Sequence, residues 1–203
     1  AHVQPGDVAG VVQPGAHPAL GDRVVAPVGH VLLAGPDQLD RRARHLLRDE
    51  HDLTLVHVSS DYSFDGNVEV HDEAEVPSPL SAYGASKAAG DTAAQTAPQH
   101  YVIRTSWVFG DGENFMSTMR RLANKGVEPK VIHDQRGRPT FAEDLAKGIV
   151  HLLKSDADYG VYNLSNSGDT VGRDEIAMAV FIGLGHDPSE VTPVTTEQYR
   201  EIA

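Results

Sequence analysis

A tyrosine and a lysine stand four residues apart in YGASK, Tyr83 to Lys87, and a serine pair, Ser59 and Ser60, closes the apolar run LTLVHVSS ahead of them. On a helix, residues four apart share a face, so Tyr83 and Lys87 can address one spot. A phenol is a poor proton carrier near neutral pH, its reference pKa being about 10. A neighbouring ammonium favours the phenolate and brings the pair into the range of general acid–base chemistry. A hydroxyl at Ser60, at a strand end, could hold the same substrate oxygen. The spacing alone is weak: with six tyrosines in 203 residues, roughly 0.15 Tyr-x-x-x-Lys pairs would arise by chance. Most such pairs on helices are merely solvated.

The elements needed to position these groups are legible around them. LTLVHVSS (53–60) reads as a buried strand. Residues 61–80 read as loop, with Gly66, an acidic patch, Pro77 and Pro79. SAYGASKAAGDTAAQTA (81–97) reads as a helix capped near Ser81 and ended by Pro98. HYVIRTSWVFG (100–110) reads as the next strand. Helices are expected over 113–126, with Gly126 as C-cap, over 140–154, with a capping box of Thr140 and Glu143, and over 172–185. Strands are expected in 128–139 and 158–168. Strands alternating with helices argue for a parallel sheet with crossover helices. In such sheets ligands gather at the C-terminal strand ends, where Ser60 falls.

Composition narrows the partners. The net charge is −12, with 17 Lys+Arg against 29 Asp+Glu. A surface that acidic repels phosphate backbones and anionic membranes, which argues against nucleic acid as a partner. The absence of cysteine excludes disulfides and thiolate metal sites. No apolar run reaches the length of a membrane span, and AHVQPGDVAG does not read as a signal peptide, so the expected location is cytoplasmic.

Other residues carry competing readings. Trp107, the single tryptophan, ends an apolar strand and suits either a core or a ligand contact. Asp61 could cap a turn. Arg136 and Arg138 in DQRGRP could grip a diphosphate or simply be solvated. His57 and His133 lack metal-ligand spacing and read as structural. DYSFDGN lacks the register of a calcium loop.

The segments VHVSSDYSFDG, SPLSAYGASKAAGD, YVIRTSWVFGDGENFMSTM and VIHDQRGRPTFAEDLA together resemble the dTDP-4-dehydrorhamnose reductases, which are extended short-chain dehydrogenase/reductases. The resemblance runs from about residue 51 to the C-terminus, and HYVIRTSWVFGDGENF is most like the reductase half of bifunctional epimerase–reductases. It implies an α/β, Rossmann-like parallel sheet with a small C-terminal substrate-binding lobe. The implied reaction is hydride transfer from NADPH or NADH to the 4-keto carbon of dTDP-4-dehydro-L-rhamnose. Tyr83 would be the catalytic acid, and Lys87 would tune it and hold the nicotinamide ribose. Val58 would lie by the cofactor. Ser60 stands where the family usually has threonine and, with Asp61, would touch the sugar. Trp107 would pack on the substrate, and Tyr62 would act as a fine-tuner. The partner is a small nucleotide sugar; a homodimer and magnesium are compatible with this, though no motif calls for either. The same Ser/Tyr/Lys set also serves nucleotide-sugar epimerases and dehydratases, and a non-catalytic nucleotide-binding subunit could share the scaffold.

Residues 1–50 break the pattern. Only HVLLAGPDQLDRRARHLL (30–47) reads as strand, turn and helix. The family's G-x-x-G-x-x-G turn would place Ala34, Asp37 and Asp40 at its glycine positions, and two carboxylates repel a pyrophosphate. Residues 1–50 are therefore expected to be an atypical segment, and 51–203 the C-terminal portion of a reductase that is itself a fragment.

Overall fold

The computed structural model describes residues 30–34, 53–155 and 157–202. The chain divides into two compact units, one of residues 1–104 and 158–163 and the other of residues 105–157 and 164–203.

In the first unit, β1 (His30–Ala34) pairs in parallel with β2 (Leu53–Ser60), His30 opposite Leu53 and Ala34 opposite His57. Helix α1 (Ala82–Ala94) then crosses to β3 (His100–Thr105), which lies beside β2. Late in the chain β8 (Gly160–Asn163) adds in parallel to β3, giving the order β1-β2-β3-β8. Leu55 and Val56 in β2 and Val102 and Ile103 in β3 are fully buried. Residues buried on both faces explain why these strands read as continuous apolar runs. Leu55, Ala94, Ala97 and Val102 form the core between sheet and helix, with Val161 against it. Each large aliphatic side chain buried here contributes roughly 1.5–3 kcal/mol. The Ser81 hydroxyl caps α1 by accepting from Gly84 N at 3.0 Å. The strand expected at 30–34 is present; the turn and helix expected after it lie outside the described residues.

In the second unit, β4 (Val108–Phe109) pairs in parallel with β7 (Thr140–Phe141), and β5 (Lys130–Ile132) with β10 (Thr192–Val194). The short β6 (Arg136–Gly137) runs antiparallel to β9 (Val171–Gly172). Helices α2 (Phe115–Asn124), α3 (Ala142–Lys154), α4 (Arg173–Gly183) and α5 (Thr196–Ile202) complete it. Met119, Ala123, Val131, Ala177, Phe181 and Val191 form its core.

Two local expectations are corrected. The single strand over 100–110 is two strands, because Trp107 takes a left-handed φ of 39° that breaks the run between β3 and β4. The capping box of Thr140 and Glu143 does not form. Thr140 is buried in β7, Phe141 is the N-cap of α3 without a side-chain bond, and Glu143 pairs with Lys147 at 2.8 Å. Pairing with β4 takes precedence over the local cap.

Candidate active site

Strand β2 leaves the sheet through a tight turn. The Ser60 hydroxyl accepts from Tyr62 N at 3.2 Å and donates to Asp61 Oδ1 at 3.1 Å, capping one 3₁₀ turn over Asp61–Ser63. That turn brings the Tyr62 carbonyl against α1. A Cβ at Gly84 would sit 2.1 Å from it, so only glycine permits this approach. The Tyr62 and Tyr83 rings meet edge to face with centroids 5.8 Å apart. Tyr83 itself is 55% exposed.

Lys87 is different. It is 4% exposed, and its Nζ donates to the Val58 carbonyl at 2.6 Å. The buried stripe of α1 runs through Gly84, Lys87, Asp91 and Ala94, spaced three and four residues apart. Two ionisable groups on a stripe that is otherwise glycine and alanine need partners. Lys87 finds the β2 backbone. Asp91 finds Arg104 of β3, with Nε at 3.0 Å, and His57 of β2, with Nε2 at a longer 3.4 Å. Burial raises the Asp91 pKa, but hydrogen bonding from His57, Ser59 and Arg104 and the guanidinium charge outweigh it and hold the carboxyl below its ordinary value.

Arg104 reaches further. Its Nη1 donates to the Glu73 carbonyl at 3.3 Å, and its guanidinium lies 4.9 Å from the centre of the Phe64 ring, which stacks on His71. Asn163 at the end of β8 donates to the Glu73 carboxylate and the His71 carbonyl. The loop after Ser60 is thereby fastened to the ends of β3 and β8.

The structure therefore gathers Val58, Ser60, Asp61, Tyr62, Tyr83 and Lys87 at the end of β2 and the start of α1. Trp107 belongs to the second unit. There its half-buried ring packs on Gly137, where a Cβ would meet it at 2.4 Å, and the Arg173 guanidinium lies over it at 4.4 Å. Arg136 is engaged by Glu175 at 2.8 Å and by the Thr170 carbonyl. His57 is fully buried against Asp91, a partner that was not anticipated. The signal was legible: a carboxylate four residues past Lys87 on a small-residue face, opposite a His and an Arg inside apolar strands.

An ammonium and a phenol at a strand end are donors that suit the hydroxyls of a nicotinamide ribose, so this end of the site fits a dinucleotide. Among the described residues no three His, Asp or Glu side chains cluster as metal ligands.

A parallel sheet with a crossover helix, carrying chemistry at the strand end, is a Rossmann-like α/β arrangement. The family described as the RmlD substrate binding domain matches residues 36–203, and the chain belongs to that family. It is 36% identical over 156 residues to a dTDP-4-dehydrorhamnose reductase of Mycolicibacterium smegmatis, covering 73% of this chain and 46% of that protein. It is 37% identical over 153 residues to a dTDP-4-keto-6-deoxy-D-glucose reductase of Streptomyces niveus, covering 73% and 52%. The crystal structure of dTDP-4-dehydrorhamnose reductase from Bacillus anthracis in complex with NADP superposes with a TM-score of 0.68 at 37% identity, covering 72% of this chain and 52% of that one. The chain thus spans about half the length of these relatives.

Proposed function

We propose that this chain carries the substrate-side portion of an NAD(P)H-dependent reductase that converts the 4-keto group of dTDP-4-dehydro-L-rhamnose to the alcohol of dTDP-L-rhamnose. In this reading residues 51–203 supply that portion and residues 1–50 are an atypical segment. The observation that carries the reading is the junction of β2 and α1, which sets the exposed phenol of Tyr83 beside the Ser60–Tyr62 turn and buries Lys87 one helical turn further along.

The roles follow from chemistry at named atoms. Tyr83 gives its phenolic proton to the O4 oxygen as the carbonyl electron pair moves onto it. Lys87, fixed on Val58, favours the phenolate left behind and presents its ammonium to a ribose hydroxyl. NADPH or NADH, when bound, supplies the hydride to C4 and leaves oxidised. Val58 lines the nicotinamide side. Ser60 and Asp61 hold the sugar oxygens, the Ser60 proton turning from Asp61 to the substrate. A soluble, charged sugar nucleotide as substrate suits the cytoplasm.

The Streptomyces niveus relative, named for a different dTDP-4-keto-6-deoxy sugar, favours a second reading of the same chemistry on that substrate. Incubating a full-length reductase that carries residues 51–203 with NADPH and each sugar nucleotide, and identifying products by chromatography, decides between them. Consumption of NADPH only with the rhamnose precursor supports the first reading. Turnover only with dTDP-4-keto-6-deoxy-D-glucose supports the second, and turnover with neither overturns both.

A further inference from the structure

Asp91 lies in the buried stripe of α1, and two successive residues of β2, His57 and Val58, meet the helix turn that runs from Lys87 to Asp91. His57 projects from the strand toward the Asp91 carboxylate, its Nε2 3.4 Å from Oδ1. The next residue, Val58, offers its carbonyl to Lys87 at 2.6 Å. The strand thus meets Asp91 right beside the carbonyl that holds the lysine. Gly90 makes this possible, because its bare Cα lets α1 close on the His57 ring, to which a Cβ would stand 3.0 Å away. Arg104 fixes the carboxylate from the neighbouring strand at 3.0 Å.

We propose that Asp91 is a positioning residue: by holding His57 from α1 it sets the height of β2 against the helix, and with it the place of the Lys87 ammonium. The proposal rests on the reading of Lys87 as part of the site described above. It goes beyond stability. A buried ion pair kept only for packing could be lost without moving Lys87, whereas a register clamp could not. The charged and titratable groups around Asp91 are His57 and Arg104 on the two strands and Lys87 on its own helix.

The test is competitive acetylation of lysines in the 203-residue chain, read by mass spectrometry, with exposed Lys147 as internal reference. In folded Asp91→Asn, losing one charge-assisted hydrogen bond of the clamp, Lys87 labelling relative to Lys147 rises about tenfold. Val102→Ala, a cavity in the same core that leaves the clamp untouched, changes labelling less than about twofold below its melting range. If Asp91→Asn does not fold, the double variant Asp91→Asn with Arg104→Gln removes the unpaired guanidinium as well and is expected to show the same rise. Lys87 protected as in the wild type in either folded variant overturns the proposal, as does an equal rise in Val102→Ala. Neither cofactor nor substrate is needed, so failure of the reductase reading shows as a full-length reductase carrying residues 51–203 without turnover, and failure of this proposal as unmoved labelling.

Discussion

Lys87 donates to the carbonyl of Val58 across 2.6 Å, tying the last residue of YGASK to the strand that ends in Ser60. The contact turns a spacing in sequence into a fixed position in space. The ammonium cannot follow a wandering side chain, because its partner is backbone of a strand that lies between β1 and β3 in the sheet.

Lys87→Ala leaves the Val58 carbonyl without its donor in a buried setting. That costs about 1–3 kcal/mol, visible as a lower midpoint in urea unfolding. The same variant is expected to weaken NADPH binding, read as quenching of the single tryptophan, by about tenfold for one lost charge-assisted hydrogen bond.

Gly84→Ala drives a methyl group to 2.1 Å from the Tyr62 carbonyl. Helix α1 must retreat from the turn, at a cost of roughly 1–3 kcal/mol. Because Tyr83 precedes Gly84, turnover is expected to fall well beyond what the stability loss explains, whereas Gly126→Ala, with nothing within 4 Å of its Cβ, changes stability alone through its φ of 64°. Parallel urea melts and rate measurements separate the two effects.

The Asp91 carboxyl is held below its ordinary pKa in the folded chain. Its stabilising contribution is therefore fully present above the unfolded value, about 3.9, and is lost as pH falls through the folded one. The melting temperature of the wild type is expected to drop more steeply below about pH 4 than that of Asp91→Asn, which has no such proton to take up. Identical acid limbs for the two chains would contradict the assignment.

Gly137→Ala pushes on the Trp107 ring at 2.4 Å. The expected outcome is a shift in tryptophan emission and a lower midpoint in urea unfolding as the ring gives way. An unshifted emission with an unchanged midpoint would contradict the packing of Trp107 on Gly137.

The β2–α1–β3 unit was legible because its apolar runs, alanine-rich helix and Ser81 cap all point to one answer. Trp107 was not, since nothing in its type announces a φ of 39°, and the strand was read straight through it. Thr140 was misread because a local capping pattern competed with pairing to β4, which only the tertiary fold reveals. The site residues on β2 and α1 were placed by spacing and resemblance. Asp91 was overlooked because its chemistry lies in partners 34 and 13 residues away in the chain, His57 and Arg104.

The central claim is that Tyr83 protonates a 4-keto sugar oxygen. The most direct measurement compares wild type with Tyr83→Phe, in a full-length reductase that carries residues 51–203, for NADPH-dependent reduction of dTDP-4-dehydro-L-rhamnose, with the NADPH dissociation constant measured alongside. The account predicts dTDP-L-rhamnose from the wild type and a fall in kcat of roughly 10²–10⁴-fold in Tyr83→Phe, with NADPH affinity retained. A wild-type chain that binds both molecules without turnover, or a Tyr83→Phe chain as fast as the wild type, would contradict it.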